Sequence, residues 1–211
     1  MSPPQPVDEH DAAELAAEYE EITKRAGVPV ILAAYPIESW QNELSPWEAP
    51  PVFGKDGFGN GAADTLSELT ENILPYIRDR FGFREEIPVI LGGYSLAGLF
   101  ALWAGRVTDV FRGIAAASPS VWFPGWIRYA SEHGCLADCV YLSLGNREER
   151  ARNPVMASVG RCIREQHEIL IKEEIPCTLE WNEGNHFVDA PVRSAKAFSW
   201  CIQTIKKKQN Q

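Results

Sequence analysis

The sequence predicts an α/β fold, a mostly parallel sheet covered by helices on both faces. Three observations carry this. Strand and helix patterns alternate along the chain, which is the signature of parallel strands joined by helical crossovers. The strand candidates are short continuous apolar runs such as "VPVILAAYPI" (28–37) and "IPVILGG" (87–93), the pattern of strands buried on both faces. At 211 residues, 45% hydrophobic and 23% charged, the chain suits a single domain over 1–211 with one sizeable core.

In chain order, "DAAELAAEYEEITKR" (11–25) places Leu15, Ala16, Tyr19 and Ile22 on one helical face, and Gly27 is a stop signal. The apolar run 28–37 is expected to be a strand. The stretch 38–63 is rich in Pro, Gly, Trp and Phe without usable periodicity, a loop long enough to carry function. A helix is expected over 64–80 behind the cap Asp64, with Pro75 kinking or ending it. Strands follow at 87–93, 111–120, 139–145 and 176–184, and helices at 96–107, 126–134, 153–174 and 191–208.

Net charge is -9 with a sequence pI near 5.0, and no stretch interleaves basic with aromatic residues, so nucleic acid is not an expected partner. The N-terminus lacks signal-peptide regions and no apolar run reaches bilayer length, so a soluble, cytoplasmic protein without membrane contact is expected. The cysteines Cys135, Cys139, Cys162, Cys177 and Cys201 are odd in number and dispersed, which favours reduced thiols. The spacing of His133, Cys135 and Cys139 lacks a fourth ligand, and "FGKDGFGNGAAD" lacks the Lys-Ser/Thr pair of a phosphate loop. No metal and no cofactor is expected. Lys206, Lys207 and Lys208 read as a solvated last turn that complements the helix dipole.

The stretch "PVILGGYSLAGLF" (88–100) holds the chemistry. Gly93, Ser95 and Ala97 fit G-x-S-x-G with Ala at the last position. A nucleophile elbow turns so sharply from strand to helix that the residues flanking the serine at two positions must be small, and Ala meets that rule. The plain alternative is a helix-capping serine.

A serine hydroxyl needs a base, and the base an orienting group. Of the four histidines, His10 precedes the first helix, His133 ends one and His167 lies in a charged one. His186, in "NEGNHFV", follows the last strand and so falls on the sheet edge that bears Ser95. The acid is expected between them in chain order. Glu148 is the first carboxylate past strand 139–145, with Glu149 as alternate; Asp138 precedes that strand and Asp189 follows the histidine.

With "GGYSLAGLFALWA" (92–104), "AAASPSVWF" (115–123), "SLGNREE" (143–149) and "EGNHF" (183–187), the chain resembles the esterase D and enterochelin-esterase-like group of α/β-hydrolases. The Ser-Pro-Ser-x-Trp segment is more specific to that group than the elbow. The resemblance covers roughly 85–200 well and the earlier part more loosely. It implies the α/β-hydrolase fold, the triad Ser95, His186 and Glu148, and hydrolysis of a small-molecule carboxylic ester or thioester. It also implies an oxyanion hole of two backbone amides, here Leu96 and, from the loop 6–10, Glu9. Few residues precede the first helix, so the leading strands of the group are expected to be missing. A sheet edge left open in this way would make a homodimer a reasonable expectation. The group places the 38–63 loop at the site mouth, so Trp40 and Trp122, with Tyr94 and Phe187 beside the catalytic serine and histidine, are expected to contact an apolar or aromatic substrate. Trp47, Phe53, Phe58, Phe123 and Trp126 divide between pocket and core packing. Two other readings stand beside hydrolysis: a catalytically silent binding module, and an acyltransferase on the same fold.

Overall fold

The computed structural model describes residues 9–209, with side chains from residue 12 onward. Helix α1 (Glu9–Ala26) forms where the sequence predicts it, but its inward face is Leu15, Glu18, Ile22 and Ala26 while Ala16 and Tyr19 are exposed; it ends at Gly27, whose φ of 63° is the left-handed conformation glycine adopts freely. Residues 1–8, and with them most of the loop proposed to supply the second oxyanion donor, lie outside the described residues.

The run 28–37 is extended but joins no ladder, which corrects the expected strand. Its burial alternates: Val28, Val30 and Leu32 pack against Ile22, Ala26 and Ala195, while Pro29, Ile31 and Ala33 face outward. The continuous apolar run suggested burial on both faces, yet only one face is covered. Pro29 and Pro36 have no N–H to donate, so a ladder through this segment would be broken twice.

The long loop contains a single helical turn, α2 (Trp40–Glu43), and one antiparallel bridge between Ala49 and Phe58. The helix expected over 64–80 runs as α3 (Ala62–Ser67), a π-helical stretch over Glu68–Ile73, and α4 (Leu74–Phe81). The Leu74 N–H donates to the Leu69 carbonyl, five residues back. Pro75 accounts for this widening: in strict α register its ring would press on the Glu71 carbonyl, which also loses its donor. The helix continues past the proline rather than ending at it.

Four parallel strands then pair in chain order: β1 (Val89–Tyr94), β2 (Phe111–Ala117), β3 (Cys139–Gly145) and β4 (Cys177–Asn182). The crossovers are α5 (Leu96–Val107), α6 (Trp126–Glu132) and the pair α7 (Pro154–Ala157) and α8 (Val159–Lys172). Because the strands advance in one direction with right-handed crossovers, these helices share one face of the sheet. Their core includes Leu99, Phe100, Ile114, Val140, Leu142 and Ile163, each worth ~1.5–3 kcal/mol of burial for the larger side chains. Trp126 Nε1 donates to Gln166 Oε1 at 2.9 Å and Arg106 pairs with Glu173 at 2.9 Å, tying α6 and α5 to α8.

The last helix, α9 (Ala190–Gln209), covers the opposite face, packing Ala197, Cys201 and Ile205 onto Ala115, Ala117, Cys139 and Tyr141, and α1 lies against it. Burial pushes the Cys201 thiol up, with Cys139 beside it adding to the effect, so it is held protonated. No described helix is long and apolar enough to cross a membrane.

Glu18, one turn before Ile22 on α1, gives the fold a pH dependence. Burial first, then Glu14, raises its carboxyl to about 7. The folded chain therefore holds this proton more tightly than the unfolded one, whose carboxyl titrates near 4.5. Below that pH the group costs nothing; stability falls as pH rises towards 7, and above it the full penalty applies. Glu18→Gln is expected to raise the free energy of urea unfolding by up to about 3 kcal/mol at pH 8 and to leave it nearly unchanged at pH 4.

Candidate active site

The strand register aligns the carboxyl ends of the sheet. Tyr94 pairs with Ala117, Ala117 with Ser143, and Gly145 with Asn182. The residues that leave these ends are therefore brought together along one edge, as expected for a parallel sheet.

At the end of β1 the chain reverses at Ser95, with φ 57° and ψ -120°, and enters α5 at once. A non-glycine residue in this conformation costs about 1–3 kcal/mol and persists only where its surroundings hold it. Here Ser95 N donates to Ala117 O (3.1 Å), and Ser95 O accepts from Leu99 N (3.1 Å) and Ser120 N (3.0 Å). The small flanking residues are a steric requirement: a Cβ on Gly93 would lie 2.5 Å from that of Ala97. The capping alternative is not what the geometry shows, because the Ser95 side chain makes no cap bond to α5. Its Oγ lies 3.3 Å from that of Ser120. Leu96 is the first residue of α5, so its N–H has no intrahelical acceptor and is available to an anion.

Beyond β3 the turn Glu148–Arg150 folds Glu148 back beneath the sheet edge, where the residue is only 7% exposed. Its Oε1 accepts from Gly145 N (2.7 Å), Ser118 Oγ (2.9 Å) and Arg193 Nη1 (3.2 Å). Its Oε2 lies 2.7 Å from His186 Nδ1. An ionised carboxylate only accepts, so Nδ1 carries the proton and Nε2 is left as the basic nitrogen. Gly145 must be glycine here: a Cβ would sit 2.6 Å from Gly184 O and 2.9 Å from Glu148 Oε1. Glu149, the alternate acid, turns away to pair with Arg164 at 2.7 Å.

His186 belongs to the loop between β4 and α9. Asn146 Oδ1 accepts from Gly184 N (3.1 Å), Arg147 N donates to Gly184 O (3.0 Å), and the Tyr94 hydroxyl donates to His186 O (2.8 Å). The Tyr94 ring stands 5.1 Å from the imidazole. Burial raises the Tyr94 phenol, so it remains a donor at neutral pH. Its hydroxyl, which also accepts from Arg193 Nη1 (3.0 Å), is thus committed to the scaffold under the histidine, a different use from the substrate contact expected of it.

The other expected contact residues divide. Trp122 is half-buried, edge-on to Phe53 (6.3 Å) and Phe58 (6.2 Å), two residues beyond Ser120. Phe187 is 88% exposed with its ring 5.4 Å from that of His186, and Trp40 is exposed on α2. Trp47, bonded through Nε1 to Pro124 O (2.9 Å), and fully buried Trp126 are packing residues. Glu9 opens α1. Among the described residues no cluster of three or more His, Cys, Asp or Glu is arranged to hold a metal ion.

Three residues of this network were not anticipated. Ser118 and Ser120 lay unassigned within "AAASPSVWF". Arg193 carried one usable signal: a cation in the first turn of a helix opposes the dipole, and it is 1% exposed.

No protein-family model and no curated protein sequence matches the chain. Solved structures do. The siderophore hydrolase EstB from Aspergillus nidulans superposes with a TM-score of 0.63 at 20% identity, over 77% of this chain and 64% of that one. The BES protein from Bacillus cereus does so with 0.62 at 19%, over 95% and 88%. The enterobactin esterase FES from Shigella flexneri, determined in the presence of 2,3-dihydroxy-N-benzoyl-glycine, gives 0.55 at 20%, over 68% of this chain; the match spans only 39% of the esterase's length. The chain has the α/β-hydrolase fold that these structures share, with four parallel strands among its described residues.

Proposed function

We propose that the chain is a serine ester hydrolase that works through an acyl-enzyme. The observation that carries this reading is the buried Glu148 carboxylate 2.7 Å from His186 Nδ1, on the same sheet edge as a serine held at φ 57°. Ser95 Oγ attacks the ester carbonyl as His186 Nε2 takes its proton; the imidazolium is stabilised and oriented by Glu148 and then protonates the leaving alcohol. Water, activated by the same nitrogen, releases the acid and restores Ser95. The Leu96 amide binds the oxyanion. The names of the superposing esterases support ester hydrolysis as the reaction class.

For the substrate, the aromatic group of Phe53, Phe58 and Trp122 next to Ser120, together with exposed Phe187, favours an ester with an apolar or aromatic group on one side of the carbonyl. Saturable turnover of p-nitrophenyl butyrate that disappears in Ser95→Ala tests the reading. Binding of such an ester without turnover would instead support a silent binding module, a reading favoured by the extended segment 28–37 that joins no sheet. A competing alcohol that diverts the product to a new ester would support acyl transfer.

The second oxyanion donor is assigned to the Glu9 amide, which lies in α1. A proline there removes the N–H. Glu9→Pro is accordingly expected to lower kcat by about 10²–10³-fold with little change in KM. An unchanged kcat in the folded variant would place the second donor elsewhere.

A further inference from the structure

We propose that Arg193 is a positioning residue that fixes the acid and the histidine loop in one piece. The inference rests on the triad reading above. The side chain is 1% exposed, and its hydrogen bonds go to groups around the triad. Nη1 donates to Glu148 Oε1 (3.2 Å), Tyr94 Oη (3.0 Å) and Ser118 Oγ (3.3 Å), and Nη2 donates to the Glu183 carbonyl (2.7 Å). One guanidinium thus reaches the acid, the backbone three residues before His186, and the tyrosine that holds the His186 carbonyl.

Stability alone is a poor reason for such a residue. A buried ion pair is no more stabilising than apolar packing of equal volume, the cation opposes the dipole of α9, and Nε is buried without a partner. Its hydrogen bonds have a definite effect on geometry: they tie the Glu148 carboxylate, the Tyr94 hydroxyl and the Glu183 carbonyl to one planar group, so that Glu148 Oε2 stays turned to His186 Nδ1.

The test compares the full chain with Arg193→Met, Arg193→Lys, Glu148→Gln and the double variant Glu148→Gln/Arg193→Met. The His186 Nδ1–H resonance is followed by NMR, and kcat and KM are measured with p-nitrophenyl butyrate. In Arg193→Met the hydrogen-bonded resonance is expected to be lost, and kcat to fall up to about 10²-fold with KM nearly unchanged. Arg193→Lys keeps the charge but cannot reach Glu148, Tyr94 and Glu183 together, so it should recover only part of kcat. In the Glu148→Gln background, loss of Arg193 should cost less kcat than in the wild-type background, since part of its effect passes through the acid. An unchanged resonance and kcat in folded Arg193→Met, or an equal loss of kcat in the Glu148→Gln background, overturns the proposal. If Arg193→Met does not fold, Arg193→Lys decides: kcat about 10-fold lower with KM unchanged supports the proposal, and an unchanged kcat overturns it. The NMR signal needs no turnover, so a failure of the hydrolase reading, seen as ester hydrolysis that survives Ser95→Ala, is separate from a failure of this one.

Discussion

Ser95→Ala is expected to abolish ester turnover, with kcat reduced by about 10⁶-fold or to the level set by binding and oxyanion stabilisation alone. The size follows from the division of labour: with no hydroxyl there is no acyl-enzyme, and His186 and Glu148 have nothing to activate. The substitution should cost the fold little. The serine adopts φ 57°, a conformation as strained for alanine as for serine, and the bonds that hold it there use its backbone. Among the described residues the one hydrogen bond of its side chain is the 3.3 Å approach to Ser120 Oγ. Unchanged far-UV circular dichroism and thermal midpoint, with hydrolysis of p-nitrophenyl butyrate at background, is the expected pair of results.

Glu148→Gln is the second large effect. The replacement is nearly isosteric but turns an acceptor facing His186 Nδ1 into an amide that can present N–H, which lets the imidazole adopt the tautomer with its proton on Nε2. That nitrogen then has no lone pair for the Ser95 proton, and a loss of about 10⁴-fold in kcat is expected, with KM largely kept. The variant also leaves Arg193 buried without its counter-charge, which is strongly destabilising, by about 3–5 kcal/mol. Stability and kcat should be measured together, and Glu149→Gln serves as the control. Glu149 pairs with exposed Arg164, so its loss should change kcat little and stability by less than about 1 kcal/mol.

The sheet was legible because its signal is local and redundant. The runs at 87–93, 111–120, 139–145 and 176–184 are each apolar, bounded by turn residues and separated by helical periodicity, and all four became strands of one parallel sheet. The run at 28–37 has the same composition, yet strand formation also requires a neighbour with matching backbone groups, and Pro29 and Pro36 limit what it can offer. No periodicity records whether a partner exists. Pro75 shows the same limit on a smaller scale: a proline mid-helix forecast a kink or stop, while the π-helical stretch over Glu68–Ile73 absorbs it.

At the site, residues whose chemistry is tied to a position along the chain could be found. Ser95 is marked by its small neighbours, and His186 and Glu148 by their places just past strand ends. The supporting residues are set by three-dimensional contact. Nothing adjacent in sequence links Arg193 to Glu148, 45 residues earlier, and only the misfit of a cation in a helix's first turn hints at it. Tyr94 was visible as a neighbour of the nucleophile, but alternation along β1 sends its side chain to the face opposite the elbow's helix, where it meets His186 and Arg193.

The central claim is that Ser95 is an activated nucleophile. The most direct measurement is treatment of the folded full chain with a fluorophosphonate probe, followed by peptide mass spectrometry. A single phosphonyl adduct on the peptide carrying Ser95, absent from Ser95→Ala and strongly slowed in a His186→Ala variant, is the predicted result. Folded protein that remains unlabelled, or labelling that persists in Ser95→Ala, would contradict it.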